Sequence, residues 1–198
     1  PSGDNDGIFM ADSTIRSTGT GTITLTGTAT AGSDSDGVDL DGLASVGSII
    51  TSVNGDILIN ATGTGGENAF EVQRESIVES TGTGASAATI TIIAVGGTDN
   101  GADIEDASIL SVDGDILIDG TGSQGVEVQE SIISSTGAAL VTIVGVGDDR
   151  DGIDIDDTTI NSVGTGTITL DGTTNGDDGV FINGLTTQIA SVAGDIFI

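Results

Sequence analysis

The amino-acid sequence predicts an all-β protein: a right-handed parallel β-helix (β-solenoid) of about seven coils, with three short strands per coil. The first observation is a repeat, because variants of the stretch Gly101 to Gly122, GADIEDASILSVDGDILIDGTG, recur from end to end. The second is that each repeat holds three short alternations of apolar and polar residues, separated by Gly, Asp and Ser. Such alternation is typical of half-buried strands, the separators are turn residues, and a repeat of this length is typical of stacked coils.

The composition favours a narrow aliphatic core. The 198 residues include 33 Gly and four Phe, with no Cys, His, Trp or Tyr. Few bulky side chains are therefore left to fill a wide interior, whereas stacked Ile, Val and Leu fill a narrow one. A hydrophobic fraction of 36% is too high for a disordered chain. Because the repeat never changes character, we expect a single domain over residues 1–198, uncapped at both ends.

Each coil supplies three expected strands, and the coil length varies from about 23 to 35 residues. In order the strands are GIFM, STIRST and GTITLTGT in coil one; GVDLDG, SIITSV and GDILIN in coil two; AFEV, ESIVES and ATITII in coil three; the stretch quoted above in coil four; GVEV, ESIISS and LVTIV in coil five; GIDI, TTINSV and GTITLDG in coil six; and GVFI, TQIASV and GDIFI in coil seven. The length variation falls at the corners, which favours a right-handed, three-faced helix of irregular coils.

Superposing the coils aligns side chains into columns. The second strands are expected to align Ile15, Ile50, Ile77, Ile109, Ile132, Ile160 and Ile189, followed two residues later by Ser17, Ser52, Glu79, Ser111, Ser134, Ser162 and Ser191. The third strands are expected to align Ile23, Ile57, Ile90, Ile116, Val141, Ile168 and Ile196. Because stacked strands lie roughly 4.8 Å apart, each Ile column predicts a continuous ridge, and the coils predict a rod roughly 30 Å long.

Runs such as SVNGDILINATG, SVDGDILIDGTG and SVGTGTITLDGT resemble the repeats of large secreted bacterial β-helical surface proteins, of the filamentous haemagglutinin and autotransporter adhesin type. The resemblance covers nearly the whole chain. It implies an extracellular, cell-surface protein of bacteria with an adhesive or scaffolding role, and it carries over no catalytic residue. We therefore expect a structural repeat protein, a segment or subunit of a β-solenoid fibre or giant adhesin. Its expected partners are further copies or continuing repeats, with outward Phe9, Phe181 and Phe197 available for contacts.

The charge of the chain makes cations its natural partners. The formal net charge is −28, with 31 acidic residues against three Arg and no Lys, which disfavours nucleic acid and anionic membranes. The outward column of the first strands reads Phe9, Asp39, Glu71, Asp103, Glu127, Asp154 and Phe181. Like charges about 5 Å apart repel by roughly 1 kcal/mol in water. Salt screening, raised carboxylate pKa values and bound divalent cations all remain open as explanations.

Acidic residues also cluster around Gly turns just before the first strands. Clustered carboxylates suit Ca²⁺, which takes six to eight oxygen ligands, although no EF-hand Glu stands at the twelfth loop position. A solvated acidic face is the alternative. The candidate metal ligands are Asp34, Asp36, Asp39, Asp41, Asp103, Asp148, Asp149, Asp151, Asp154, Asp156, Asp157, Asp177 and Asp178. A calcium-dependent binding module is therefore the second functional hypothesis.

Catalysis is the hypothesis that the sequence favours least. Paired carboxylates hydrolyse glycosides, and some polysaccharide-acting enzymes are β-helices. The chain has no His or Lys to act as a base, and no Trp or Tyr on which a sugar could stack. We therefore expect no enzyme activity and no catalytic residue.

Overall fold

A computed structural model describes residues 5–30, 35–42, 47–64, 68–96 and 98–198. Within these ranges the chain forms 21 strands and one turn of 3₁₀-helix at Gly84–Ser86, and no helix is long and apolar enough to cross a membrane. The strands are β1 (Ile8–Ala11), β2 (Thr14–Ser17), β3 (Ile23–Ala29), β4 (Val38–Asp41), β5 (Ile49–Ser52), β6 (Ile57–Gly63), β7 (Phe70–Gln73), β8 (Ile77–Ser80), β9 (Ile90–Val95), β10 (Asn100–Glu105), β11 (Ser108–Ser111), β12 (Ile116–Gly122), β13 (Gln124–Gln129), β14 (Ile132–Ser135), β15 (Val141–Gly147), β16 (Ile153–Asp156), β17 (Thr159–Ser162), β18 (Ile168–Thr174), β19 (Val180–Asn183), β20 (Gln188–Ser191) and β21 (Ile196–Phe197).

The strands form three parallel sheets of seven strands, and every third strand belongs to the same sheet. The first sheet runs β1-β4-β7-β10-β13-β16-β19, the second β2-β5-β8-β11-β14-β17-β20, and the third β3-β6-β9-β12-β15-β18-β21. Each coil therefore adds one strand to each sheet. The predicted all-β solenoid with three strands per coil is confirmed.

The core is an aliphatic column enclosed by the three sheets. The third-strand column is confirmed, since Ile57 pairs with Ile23 and Ile90, and Ile116 pairs with Ile90 and Val141. Burying each such side chain stabilises the fold by roughly 1.5 to 3 kcal/mol. Phe70 is buried too, whereas Phe9, Phe181 and Phe197 are exposed, as expected for outward residues.

In the second sheet, the predicted Ile column is wrong at two of its positions. Ile133, and not Ile132, pairs with Ile109 and Ile160, and it is 0% exposed against 45% for Ile132. In β8, Val78 takes the inward place that was predicted for Ile77. The inward column is therefore Ile15, Ile50, Val78, Ile109, Ile133, Ile160 and Ile189. Two neighbouring β-branched residues make the alternation ambiguous, and a shift by one residue moves a side chain to the opposite face.

The same shift corrects the serine column. The predicted Glu79 and Ser134 are wrong, and with Ser80 and Ser135 in their places the column contains Ser at every position: Ser17, Ser52, Ser80, Ser111, Ser135, Ser162 and Ser191. The hydroxyls of Ser52 and Ser111 donate to the carbonyl oxygens of Gly55 and Gly114 in the following turn. At these two coils the hydroxyl therefore closes the corner between the second and third strands.

In several coils the end of the third strand runs close to the start of the next coil's first strand. A Cβ added at Gly27 would lie 1.9 Å from the carbonyl oxygen of Gly37, and one at Gly145 would lie 2.0 Å from that of Gly152. At these two positions only a residue without a side chain fits. The approach sets the position of Gly37 and Gly152, each of which directly precedes a first strand.

Candidate cation site on the first sheet

The first sheet carries five acidic residues side by side on its outward face. Asp39 pairs with Glu71, Glu71 with Asp103, Asp103 with Glu127, and Glu127 with Asp154. Phe9 and Phe181 flank this column in the first and last coils. The predicted register of the acidic column is therefore confirmed.

A second polar column lies beside the acidic one, three residues earlier in each coil than the residue of the outward column. It consists of Asp6, Asp36, Asn68, Asn100, Gln124, Asp151 and Asp178. We call the two facing columns the polar ladder. Asn68 Nδ2 donates to Asp103 Oδ2 at 3.1 Å, and Asn100 Nδ2 donates to Glu127 Oε2 at 2.6 Å. At these two coil boundaries an amide of one coil therefore binds a carboxylate of the next.

Asp36 occupies the amide position one coil earlier, where it faces Glu71. Two acids therefore meet at this coil boundary. Their side chains share a hydrogen bond, which requires a proton on one of them. Asp39 lies beside them, and one carboxylate oxygen of each of the three residues lies within 4.8 Å of the others. Within the part of the chain that the structure describes, this is the one group of three acidic residues close enough to hold a metal ion.

Burial makes this cluster of acidic residues destabilising to the fold. Asp36 is 4% exposed and Asp39 is 7% exposed, and the Oδ1 atom of each has no hydrogen-bond partner among the described residues. Burial, reinforced by the Glu71 carboxylate, raises the pKa of Asp36 to about 9 and that of Asp39 to about 8. Carboxyl groups whose pKa values are raised in this way mark a place where buried negative charge would lack compensation.

Two further aspartates of the column have raised pKa values, Asp103 to the same value as Asp39 and Asp154 to a lower one. Burial and the Glu127, Glu71 and Glu105 carboxylates raise the pKa of Asp103 to about 8, although the Asn100 side chain opposes the shift. Burial and Glu127 raise the pKa of Asp154 to about 6. Among these aspartates the pKa shift is smallest at Asp154, the most C-terminal of them.

Asp41 is paired. Its two carboxylate oxygens accept hydrogen bonds from the Arg74 Nη1 at 2.9 and 2.7 Å. The Asp41 side chain is 6% exposed and that of Arg74 is 58% exposed, so the arginine neutralises a buried carboxylate from the surface. Of the predicted metal ligands in this region, Asp36 and Asp39 are the two that the structure brings together.

The remaining predicted ligands form no further group of this kind among the described residues. Asp34 lies outside the described residues. Asp148, Asp149, Asp177 and Asp178 are exposed, and Asp151 and Asp156 are half-buried. Asp151 Oδ1 accepts a hydrogen bond from the backbone N–H of Asp178 at 2.8 Å. Asp157 accepts from the backbone N–H and the hydroxyl of Thr186, both at 3.0 Å, and these bonds lower its pKa.

Sequence reasoning placed Glu71 in the acidic column but left it out of the ligand set. Its coil lacks the Gly turn and the flanking aspartates that drew attention to residues 34–41. The signal that identifies Glu71 is its column, because it stands directly beside Asp39 in the stacked sheet. The pairing of Asn68 and Asn100 with the neighbouring carboxylates was also missed, since their spacing to those residues spans a whole coil.

No protein family, curated protein sequence or solved structure matches this chain. The fold and the polar ladder define a class nonetheless: the chain is a β-solenoid repeat protein with a column of five acidic residues along its first sheet. Asp36, Asp39 and Glu71 lie close enough together to hold a metal ion.

Proposed function

We propose that the protein is a structural extracellular repeat protein, a segment or subunit of a β-solenoid fibre or giant cell-surface adhesin of bacteria. The observation that carries the proposal is the unbroken stacking of seven strands in each of three sheets, with side chains in register through the described coils. Such a stack is stabilised by contacts between neighbouring coils, so it extends by simple repetition. An elongated, repetitive body is what a fibre or adhesin stalk requires.

The surface charge agrees with this role. A net charge of −28 on 198 residues favours solubility and repels nucleic acid and anionic membranes. The partners that remain are cations and further solenoid coils. Exposed apolar residues in the last coil, including Leu185, Val192 and Ile198, favour contact with such a coil, of this chain or of another copy.

Immunogold labelling of intact cells of the source organism tests the extracellular role. We expect antibodies against this chain to label the surface of unpermeabilised cells. Labelling that requires permeabilisation would overturn the proposal. The mass of the labelled polypeptide on a denaturing gel then separates the two forms, since a mass near 19 kDa indicates a subunit and a much larger mass indicates a segment.

A calcium-dependent binding module is the second candidate function. The observation that favours it is the group of Asp36, Asp39 and Glu71, which supplies the oxygen ligands that Ca²⁺ prefers. A cation that binds the folded state alone stabilises it, so the melting temperature would fall when a chelator is added. An unchanged melting temperature would exclude calcium-dependent stability and leave the structural role intact.

A further inference from the structure

We propose that Asp36, Asp39 and Glu71 bind one Ca²⁺ ion that joins the second and third coils. Asp36 and Asp39 belong to the coil of β4, whereas Glu71 belongs to β7 of the next coil. Ca²⁺ ligands lie about 2.3 to 2.6 Å from the ion, so two oxygens on opposite sides of it are up to about 5 Å apart. The three oxygens fit that span. The inference deepens the second candidate function and rests on it for the effect of calcium on stability.

Two buried oxygens with no partner point to a ligand. Asp36 and Asp39 are more than nine-tenths buried, and neither Oδ1 atom has a hydrogen-bond partner among the described residues. A buried carboxylate oxygen without a partner destabilises the fold, because it has lost water and gained nothing in exchange. A bound cation supplies the missing interaction for both oxygens at once.

The repeat itself provides an internal control. Asn68 and Asn100 occupy the same position as Asp36 in the following coils, and each donates an N–H to the carboxylate of the next coil. The fold therefore accepts an amide here and satisfies the neighbouring carboxylate with it. At Asp36 an acid stands where the next two coils have an amide. A cation can join this acid to Glu71, whereas the amides pair with a carboxylate without a cation.

The charges around the site also favour a cation. Asp6 and Asp41 face the cluster, and Asp6 Oδ1 accepts the backbone N–H of Asp36 at 2.9 Å. The positive side chain that faces the cluster in the described structure is Arg74, and its guanidinium is already bonded to Asp41. A divalent ion therefore enters a region whose negative charge exceeds its positive charge.

Calorimetric titration of the whole chelator-treated chain with CaCl₂, at fixed ionic strength, tests the site. We expect one site per chain in the wild type. Asp36→Asn should weaken it at least tenfold while the variant remains folded, because an amide is native at this position in the next two coils. Glu71→Gln should weaken it similarly. Asp171→Asn removes the same charge from an exposed position on the third sheet and should change the affinity less than twofold.

Wild-type affinity in both Asp36→Asn and Glu71→Gln would overturn the assignment, as would loss of the site in Asp178→Asn alone. Weak binding to many equivalent sites would also overturn it. A chelator effect on the melting temperature that persists in Asp36→Asn would place calcium elsewhere, so the site would fail and the second candidate function would survive. If Asp36→Asn loses the site but a chelator leaves the melting temperature of the wild type unchanged, the site is supported and the calcium-dependent function is rejected.

Discussion

Two acidic clusters look alike in the sequence but lie in different environments in the structure. Residues 33–41, SDSDGVDLD, and residues 148–157, DDRDGIDIDD, share aspartates around a Gly turn and an alternating strand. Asp36 and Asp39 of the first cluster are buried against Glu71. The equivalent residues of the second, Asp151 and Asp154, are half-buried.

The neighbouring coil explains the difference. After the first cluster, the next residue in the acidic column is Glu71; after the second, it is Phe181. The first cluster therefore meets a carboxylate in the coil that follows it, whereas the second meets a phenylalanine there and has its carboxylate neighbour, Glu127, in the coil before. A side chain's chemistry in a solenoid therefore depends on residues one repeat away.

The largest expected effect is a loss of stability with rising pH in chelator-treated protein. Burial raises the pKa of Asp36 to about 9, of Asp39 and Asp103 to about 8, and of Asp154 to about 6. Between about pH 4 and these values the folded chain retains protons that the unfolded chain releases, so the free energy of unfolding falls as pH rises and then levels off. Because each pKa unit corresponds to about 1.4 kcal/mol, urea unfolding should show a loss of several kcal/mol between about pH 5 and pH 9.

A matched pair of variants separates this effect from general charge repulsion. Asp103→Asn removes one of the perturbed groups and should flatten the pH profile, whereas Asp149→Asn, at an exposed position, should leave its slope unchanged. Amide hydrogen exchange should show that protection declines first around β4, β7 and β10. An equal decline around β19 would contradict the difference between the two regions.

The next effect concerns the close backbone contacts at the start of the first strands β4 and β19. A Cβ at Gly37 would lie 2.5 Å from the Thr62 nitrogen and 2.7 Å from the Ala69 oxygen. A Cβ at Gly179 would lie 2.7 Å from the Gly172 oxygen, and the next atom, the Gly172 carbonyl carbon, is 3.5 Å away. Gly37→Val should cost about 3 kcal/mol and Gly179→Val about 1 kcal/mol in urea unfolding. Valine is used because Ala69 already occupies the equivalent place in the third coil. Equal costs would show that the last coil is packed as tightly as the second.

The two arginine pairs differ in the same direction. Asp41 is buried beneath Arg74, whereas Arg150 Nη1 and Asp99 Oδ1, 3.2 Å apart, belong to side chains that are each nearly half exposed. Arg74→Ala leaves a buried charge unpaired and should cost about 2 kcal/mol, whereas Arg150→Ala should cost about 0.5 kcal/mol or less. The double variant Arg74→Ala/Asp41→Asn should recover most of the loss. Thermal unfolding at low salt measures all three.

The smallest effect is a gain. In the absence of calcium, Asp36→Asn should stabilise the protein by about 1 kcal/mol near pH 7.5, because the new amide donates to Glu71 as Asn68 donates to Asp103. Asp178→Asn, in the same column but exposed, should change stability by about 0.5 kcal/mol or less. A destabilised Asp36→Asn variant would show that the acid at this step stabilises the fold even without a cation.

Much of the fold could be predicted from the sequence because the repeat expresses it locally. The strands, their grouping into three sheets, and the columns of Ile57 and Asp39 all follow from alternation and from aligning like with like. The second-strand column failed at Ile77 and Ile132, where two adjacent β-branched residues fit the pattern equally well. Packing against the other two sheets resolves that ambiguity.

For the candidate cation site, the sequence indicates the kind of residue, and the stacking of the coils determines which residues act together. Composition and charge already indicated a preference for cations, since 31 acids face three arginines. They could not distinguish Asp36 from Asp178, which precede their strands identically. The distinction arises from the solenoid stack, which buries Asp36 beside Glu71, 35 residues along the chain, and leaves Asp178 in water. A carboxylate's environment depends on what lies within a few ångströms, and in a stack of coils those neighbours come from the next repeat.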